Sequence, residues 1–192
     1  IPTAPVKKNI LLVAFALGLL IPMVVIFIRE NMNTRVRGRK DLDGLSVPFI
    51  GEIPLAFRGK KKTKSHEAHT IVVKEGSRDI MNEAFRVLRT NLEFMIGKDK
   101  SSNVIIVTSL NPGSGKSFLT MNIAMSLAIK NKKVLVIDGD LRHASASAYI
   151  HSPEVGLSNY LGGQVDKLSD IIITDEKHAS FSFIPVGTIP PN

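Results

Sequence analysis

The chain has 192 residues, 44% of them hydrophobic, enough to bury one sizeable core with an appendage. It contains no cysteine, which excludes disulfides, zinc–thiolate sites and thiol catalysis. A net charge of +8 points to an anionic partner, either a nucleic acid or a membrane surface, and the position of the charge along the chain decides between them.

The chain opens on Ile1 rather than Met, so it reads as a piece of something longer. Residues 9–28 carry no charge and include the runs Ile10 to Val13 and Met23 to Ile28. At about 1.5 Å per residue, this stretch matches a hydrocarbon core roughly 30 Å thick, so a transmembrane helix is predicted there, with Gly18 and Pro22 tolerated inside it. A signal peptide would need a shorter apolar core and a small-residue cleavage site. Beyond the span come Arg29, Arg35, Arg37, Arg39 and Lys40, then Arg58, Lys60, Lys61, Lys62 and Lys64. By the positive-inside rule this side is expected to be cytoplasmic, with anionic lipid headgroups as the partner of the charge. Nucleic acid is disfavoured, because only Phe57 stands near the basic run for stacking. Residues 29–77 read as a basic tether with a small apolar docking element, Val47 to Leu55.

From Arg78 to Ile96 the pattern turns helical, with Met81, Phe85, Leu88, Leu92 and Met95 on one face. The other face is expected to carry Glu83, Arg86, Arg89 and Glu93, either as intrahelical ion pairs or as a contact between subunits. The β-branched run 103–108 is predicted to be a buried parallel strand. It leads into Ser109-Leu110-Asn111-Pro112-Gly113-Ser114-Gly115-Lys116-Ser117 and then a helix over 115–130. A strand, a glycine-rich loop ending in Gly-Lys-Ser, and a helix in this order form a phosphate-binding loop, so a nucleoside triphosphate is the expected ligand. The full phosphate-loop motif would begin with glycine where Leu110 stands, so the strand and helix context carries the assignment.

A second strand, 133–137, runs into Asp138-Gly139-Asp140-Leu141-Arg142. This puts two carboxylates at the carboxyl edge of a parallel sheet, where ligands bind. Carboxylates so placed can hold Mg²⁺ or accept a proton from a nucleophile, and an arginine can offset developing charge. Short helices near 155–162 and 166–173 and a strand over 181–186 complete an α/β pattern: a P-loop-type parallel sheet with covering helices. Tyr149 and Tyr160 read as core or surface tyrosines, and His66, His69, His143, His151 and His178 as surface residues.

These features together resemble the bacterial tyrosine kinases of capsule and exopolysaccharide chain-length control and export. The resemblance is carried by Ile1-Pro2-Thr3-Ala4-Pro5, the apolar helix, Val47-Pro48-Phe49-Ile50-Gly51-Glu52-Ile53-Pro54, the Glu83/Arg86/Arg89 triplet, the phosphate loop, Asp138 to Arg142, and Gly187-Thr188-Ile189-Pro190-Pro191-Asn192. The related cell-division and partitioning ATPases share the fold but carry a signature lysine where this chain has Asn111. The resemblance implies residues 1–8 as a periplasmic juxtamembrane segment and 78–192 as a kinase domain truncated at its carboxyl end. It implies ATP and Mg²⁺ as cofactors, bound by Gly113, Ser114, Gly115, Lys116, Ser117, Phe118 and Arg142, with Ser117 and Asp140 on the metal. Catalysis would fall to Lys116, Asp138 and Asp140.

The resemblance also implies a homo-oligomeric ring built through Glu83, Arg86 and Arg89 in the bacterial inner membrane. Its substrate in trans would be a carboxyl-terminal tyrosine cluster, and its partner the polysaccharide export machinery. That tyrosine cluster and a third nucleotide motif would both follow Asn192. A partitioning-type ATPase and a nucleotide-regulated co-polymerase scaffold stand as competing functions.

Overall fold

The computed structural model describes residues 7–32, 38–42, 44–55, 69–97 and 103–189. The lead-in 1–6, Arg35, Arg37, the basic run 58–64, His66 and the Pro-Pro-Asn sequence at 190–192 lie outside the described residues, as do the side chains of Arg39 and Lys40. The chain divides into two compact units, Ile1–Phe49 and Ile50–Asn192.

The first unit holds α1, Lys7–Asn31, whose side chains are all exposed. With 25 residues it is about 37 Å long, so it is long and apolar enough to cross a bilayer. Pro22 lies inside it without ending it, and a short 3₁₀ turn, Arg39–Leu42, follows.

In the second unit α2 spans Ile80–Ile96. It starts where Asp79 accepts the Asn82 N–H, and Gly97, at φ 76°, ends it in a conformation that suits glycine. Helix α3, Lys116–Ala128, lies against α2 and against the sheet. The strands are β1 (Val134–Ile137), β2 (Ile173–Thr174) and β3 (Phe181–Ile184), in the order β1-β3-β2. β1 runs parallel to β3, with Val134 opposite Phe181 and Ile137 opposite Ile184. β2 pairs antiparallel to β3, an element absent from the sequence expectation. Its two residues are too few to show a period, and the short helix expected near 166–173 would run into them. That helix reduces to a 3₁₀ turn at Leu168–Ile171, while α4, Leu157–Leu161, fulfils the other.

The core gathers Phe85 and Leu88 from α2, Met121, Ala124 and Met125 from α3, and Val136, Phe181 and Phe183 from the sheet. Ile50 and Ile53 pack against it, and the Asn91 Nδ2 donates to the Ile50 carbonyl at 2.7 Å, so the carboxyl half of the apolar docking element does dock. Leu135 and Ile137, alternating with Val136 along β1, are exposed.

The run 103–108 departs from expectation. It forms no strand, and Val104 and Ile106 are 93% and 86% exposed. β-Branched composition favours a strand, but a strand exists only through pairing with a neighbour. Among the described residues nothing pairs with this run.

Candidate nucleotide-binding site

The phosphate loop stands at the amino end of α3. Gly113 and Gly115 hold φ at 74° and 89°, and an added Cβ on either would meet nothing within 4 Å. The demand for glycine here is therefore conformational, not steric. The Oγ atoms of Ser109 and Ser114 both donate to the Asn111 carbonyl, at 2.9 and 2.5 Å, which folds the loop on itself. Gly115 caps α3 without any side-chain hydrogen bond, so among the described residues no side chain caps the first-turn amides, and they can take an anion. Residues 111–115 are exposed, and Lys116 and Ser117 are half-buried at the start of the helix. An open amide turn, two left-handed glycines and a lysine form a cradle that fits a phosphate chain.

Phe118 does not present its ring to this cradle. The ring packs edge-on against Phe85 at a centroid separation of 5.9 Å, so only its backbone remains available to a nucleotide. The rest of α3 is bolted down by polar side chains. Asn122, fully buried, accepts the Val72 and Val73 N–H groups at 2.7 and 3.1 Å and donates to the Phe118 carbonyl at 2.8 Å. An asparagine flanked by Met121 and Ile123 on the helix was the available sign of this anchor, and its partner Val72, 50 residues away, was not readable.

The register β1 to β3 brings Asp138 beside Pro185-Val186-Gly187 at one carboxyl edge, and the Asp138 N–H donates to the Ile184 carbonyl at 3.0 Å. Asp138 is only 4% exposed. Its Oδ2 accepts both the N–H and the Oγ–H of Ser147, each at 2.7 Å, and its Oδ1 accepts the Asp140 N–H at 3.2 Å. The Ser147 Oγ in turn accepts the Val186 N–H at 2.9 Å.

Asp140 differs from its neighbour. It is partly exposed, and its Oδ1 accepts the His143 N–H at 3.1 Å, with the His143 Nδ1 at 3.3 Å. Partial burial pushes the Asp140 carboxyl up. Hydrogen bonds from the His143 backbone and ring and from the Arg142 N–H, with the His143 charge, outweigh it and hold the group below the ordinary carboxylate value. Arg142 is exposed on the same turn. The sequence thus located both carboxylates but not their different surroundings, and it held no sign of Ser147. No group of three or more His, Cys, Asp or Glu side chains with metal-ligand geometry occurs among the described residues.

The Glu83/Arg86/Arg89 triplet is split. Glu83 and Arg86 are exposed and ion-paired, the Arg86 Nε donating to Glu83 Oε2 at 2.8 Å. Arg89, expected on the same exposed face, is buried. Its Nη1 donates to the Ser126 carbonyl at 2.9 Å and to the Ser126 Oγ at 3.1 Å, and its buried Nε has no partner among the described residues. Residue 89 lies one position from Leu88 on the helix, so the seam against α3 is wide enough to take it in. Tyr149 is half-buried, its ring edge-on to His69 at 5.3 Å, and burial raises its phenol above the ordinary value.

Residues 105–179 match the CobQ/CobB/MinD/ParA nucleotide-binding domain, so the chain carries a P-loop nucleotide-binding domain of this class. Within that class the chain is similar to bacterial tyrosine kinases. It is 30% identical over 205 residues to the tyrosine-protein kinase etk of Escherichia coli strain K12, a match covering 100% of this chain and 28% of that protein. It is likewise 30% identical over 197 residues to the tyrosine-protein kinase wzc of Salmonella typhimurium, covering 98% of this chain and 27% of that protein. Among solved structures, the kinase domain of the Escherichia coli tyrosine kinase ETK superposes with a TM-score of 0.65 at 30% identity, covering 82% of this chain and 62% of that one. The chain therefore spans little more than a quarter of the length of the curated relatives it matches, 27–28%.

Proposed function

We propose that this chain is the membrane-proximal and nucleotide-binding part of a membrane-anchored, autophosphorylating protein-tyrosine kinase that regulates capsular or exopolysaccharide synthesis and export. The observation that carries the reading is the open, glycine-built cradle at α3 in a chain whose whole length matches a part of named tyrosine-protein kinases. In this reading α1 is the anchor, with the 29–77 tether and the catalytic unit on the cytoplasmic side against anionic lipids.

The chemistry is in-line transfer of the ATP γ-phosphoryl to a tyrosine oxygen. The amides from Gly113 to Ser117 and the Lys116 ammonium hold the β- and γ-phosphates and offset the charge that spreads over the transferring group. Mg²⁺, held by the Ser117 hydroxyl and Asp140, would supply further neutralisation of the phosphate oxygens. Asp138 orients or deprotonates the tyrosine hydroxyl, and Arg142 lies at the nucleotide. Glu83 and Arg86 join neighbouring copies in a ring, with the tyrosine-bearing tail of one subunit as substrate of the next and the export machinery as partner.

The test is phosphotransfer by the full-length protein with Mg-ATP, read by mass spectrometry for phosphotyrosine beside Lys116→Met. A loss of about a hundredfold or more is expected; phosphorylation retained by the variant would refute the assignment. The match to a class that includes MinD and ParA favours one second reading, a membrane-associated partitioning-type ATPase. Lys116-dependent hydrolysis of ATP without phosphotyrosine would select it.

A further inference from the structure

We infer that Ser147 is the positioning residue of the Asp138 carboxylate and, through Val186, ties that carboxylate to the end of β3; this rests on the phosphotransfer reading above. An ionised carboxylate offers about four lone-pair sites. Three of those on Asp138 are filled, two by the N–H and Oγ–H of Ser147 at 2.7 Å each and one by the Asp140 N–H at 3.2 Å. Among the described residues one site is left for a substrate hydroxyl or for water. With Asp138 only 4% exposed, that remaining site has a fixed position, set by whatever fixes the other three.

Ser147 is what fixes them. It is 1% exposed, it opens the Ser147–Ile150 turn, and its hydroxyl has no freedom of its own. The Oγ accepts the buried Val186 N–H at 2.9 Å, so its proton must go to Asp138. One hydroxyl thereby links the residue that follows β1 to the chain leaving β3. The chain there is itself immobilised. Gly187, at φ 80°, packs against the backbone of Gly156, and Asn159 accepts the Thr188 N–H at 3.2 Å. Asp140 and Arg142 lie on the loop between Asp138 and Ser147, whose span is held by the Ser147 N–H, a donor that survives loss of the hydroxyl.

A side chain that only supported the fold would lower stability and leave the rate constants of the folded fraction alone. A positioning residue moves kcat while KM for ATP stays, because the phosphate cradle at α3 is a separate set of groups. In the full-length protein, Ser147→Ala keeps the backbone donor and removes the hydroxyl. It is expected to lower kcat for tyrosine phosphorylation about tenfold to a hundredfold, with KM for ATP within about twofold of the unaltered value. A kcat unchanged in the folded protein, or a KM that rises as far as kcat falls, would overturn the inference. Ser147→Cys keeps the side-chain shape, slightly enlarged, with a weaker donor and covers the case in which the alanine variant does not fold: an intermediate kcat is expected, and an unaltered kcat overturns the role. If the unaltered protein makes no Lys116-dependent phosphotyrosine, the kinase reading itself has failed. The same kcat and KM comparison on ATP hydrolysis then decides Ser147 separately.

Discussion

Asn122→Ala is the sharpest structural perturbation available, because one fully buried side chain on the phosphate-loop helix serves three backbone groups. Removing it leaves the buried Val73 N–H and the partly buried Val72 N–H without that acceptor. An orphaned buried donor costs about 1 to 3 kcal/mol, so two of them, one partly reached by water, give about 3 kcal/mol. For a unit the size of Ile50–Asn192 this lowers the melting midpoint by about 10 °C. The assay is thermal unfolding followed by circular dichroism in detergent micelles, beside the exposed-site control Ser169→Ala, expected to stay within about 0.5 kcal/mol. A loss under about 1 kcal/mol for Asn122→Ala would refute the reasoning. It would mean that Val72 and Val73 are not held to α3 by this side chain.

Gly156→Ala should destabilise by about 3 kcal/mol or more, because its Cβ would overlap the Pro185 carbonyl and the Gly187 N–H and lie 2.7 Å from the Val186 carbonyl carbon, all of them backbone; Gly139→Ala, with open space around it, should leave the melting midpoint unmoved, and equal midpoints would refute the close approach. Asp79 is held at about 2, below its ordinary 3.8, first by the Ser77 hydroxyl and then by the Asn82 N–H and side chain. The folded chain binds this proton less tightly than the unfolded one, so the contribution is complete above about pH 4 and is lost as pH falls through about 2. Asp79→Ala should therefore flatten the acid limb of stability between about pH 4 and about pH 2, and an unaltered limb in a urea titration would count against the cap. Arg89→Ala should cost about 2 kcal/mol through lost packing and two lost hydrogen bonds, whereas the exposed Arg86→Ala should leave the midpoint within about 1 °C and instead weaken self-association measured by ultracentrifugation. A reversal of the two stability effects would refute the split of the triplet.

What the sequence by itself determined is local. The Gly-Lys-Ser loop and the helix after it, the apolar helix near the amino end, the amphipathic period of α2 and the strands β1 and β3 all follow from residues within a few positions of one another, and these are the interactions that backbone sterics and helical or strand periods encode. The tertiary structure decided what depends on contacts far along the chain. Asp138 and Asp140 read alike, two residues apart after one strand, yet Ser147, nine residues on, encloses the first and leaves the second partly open. Arg89 read as exposed with Arg86, and Ser126, 37 residues away, draws it into the α2–α3 seam. Residues 103–108 have the composition of a buried strand and form none, since a strand is made by its neighbour and not by its own side chains. Burial and pairing are properties of the assembled surfaces, and no local pattern carries them.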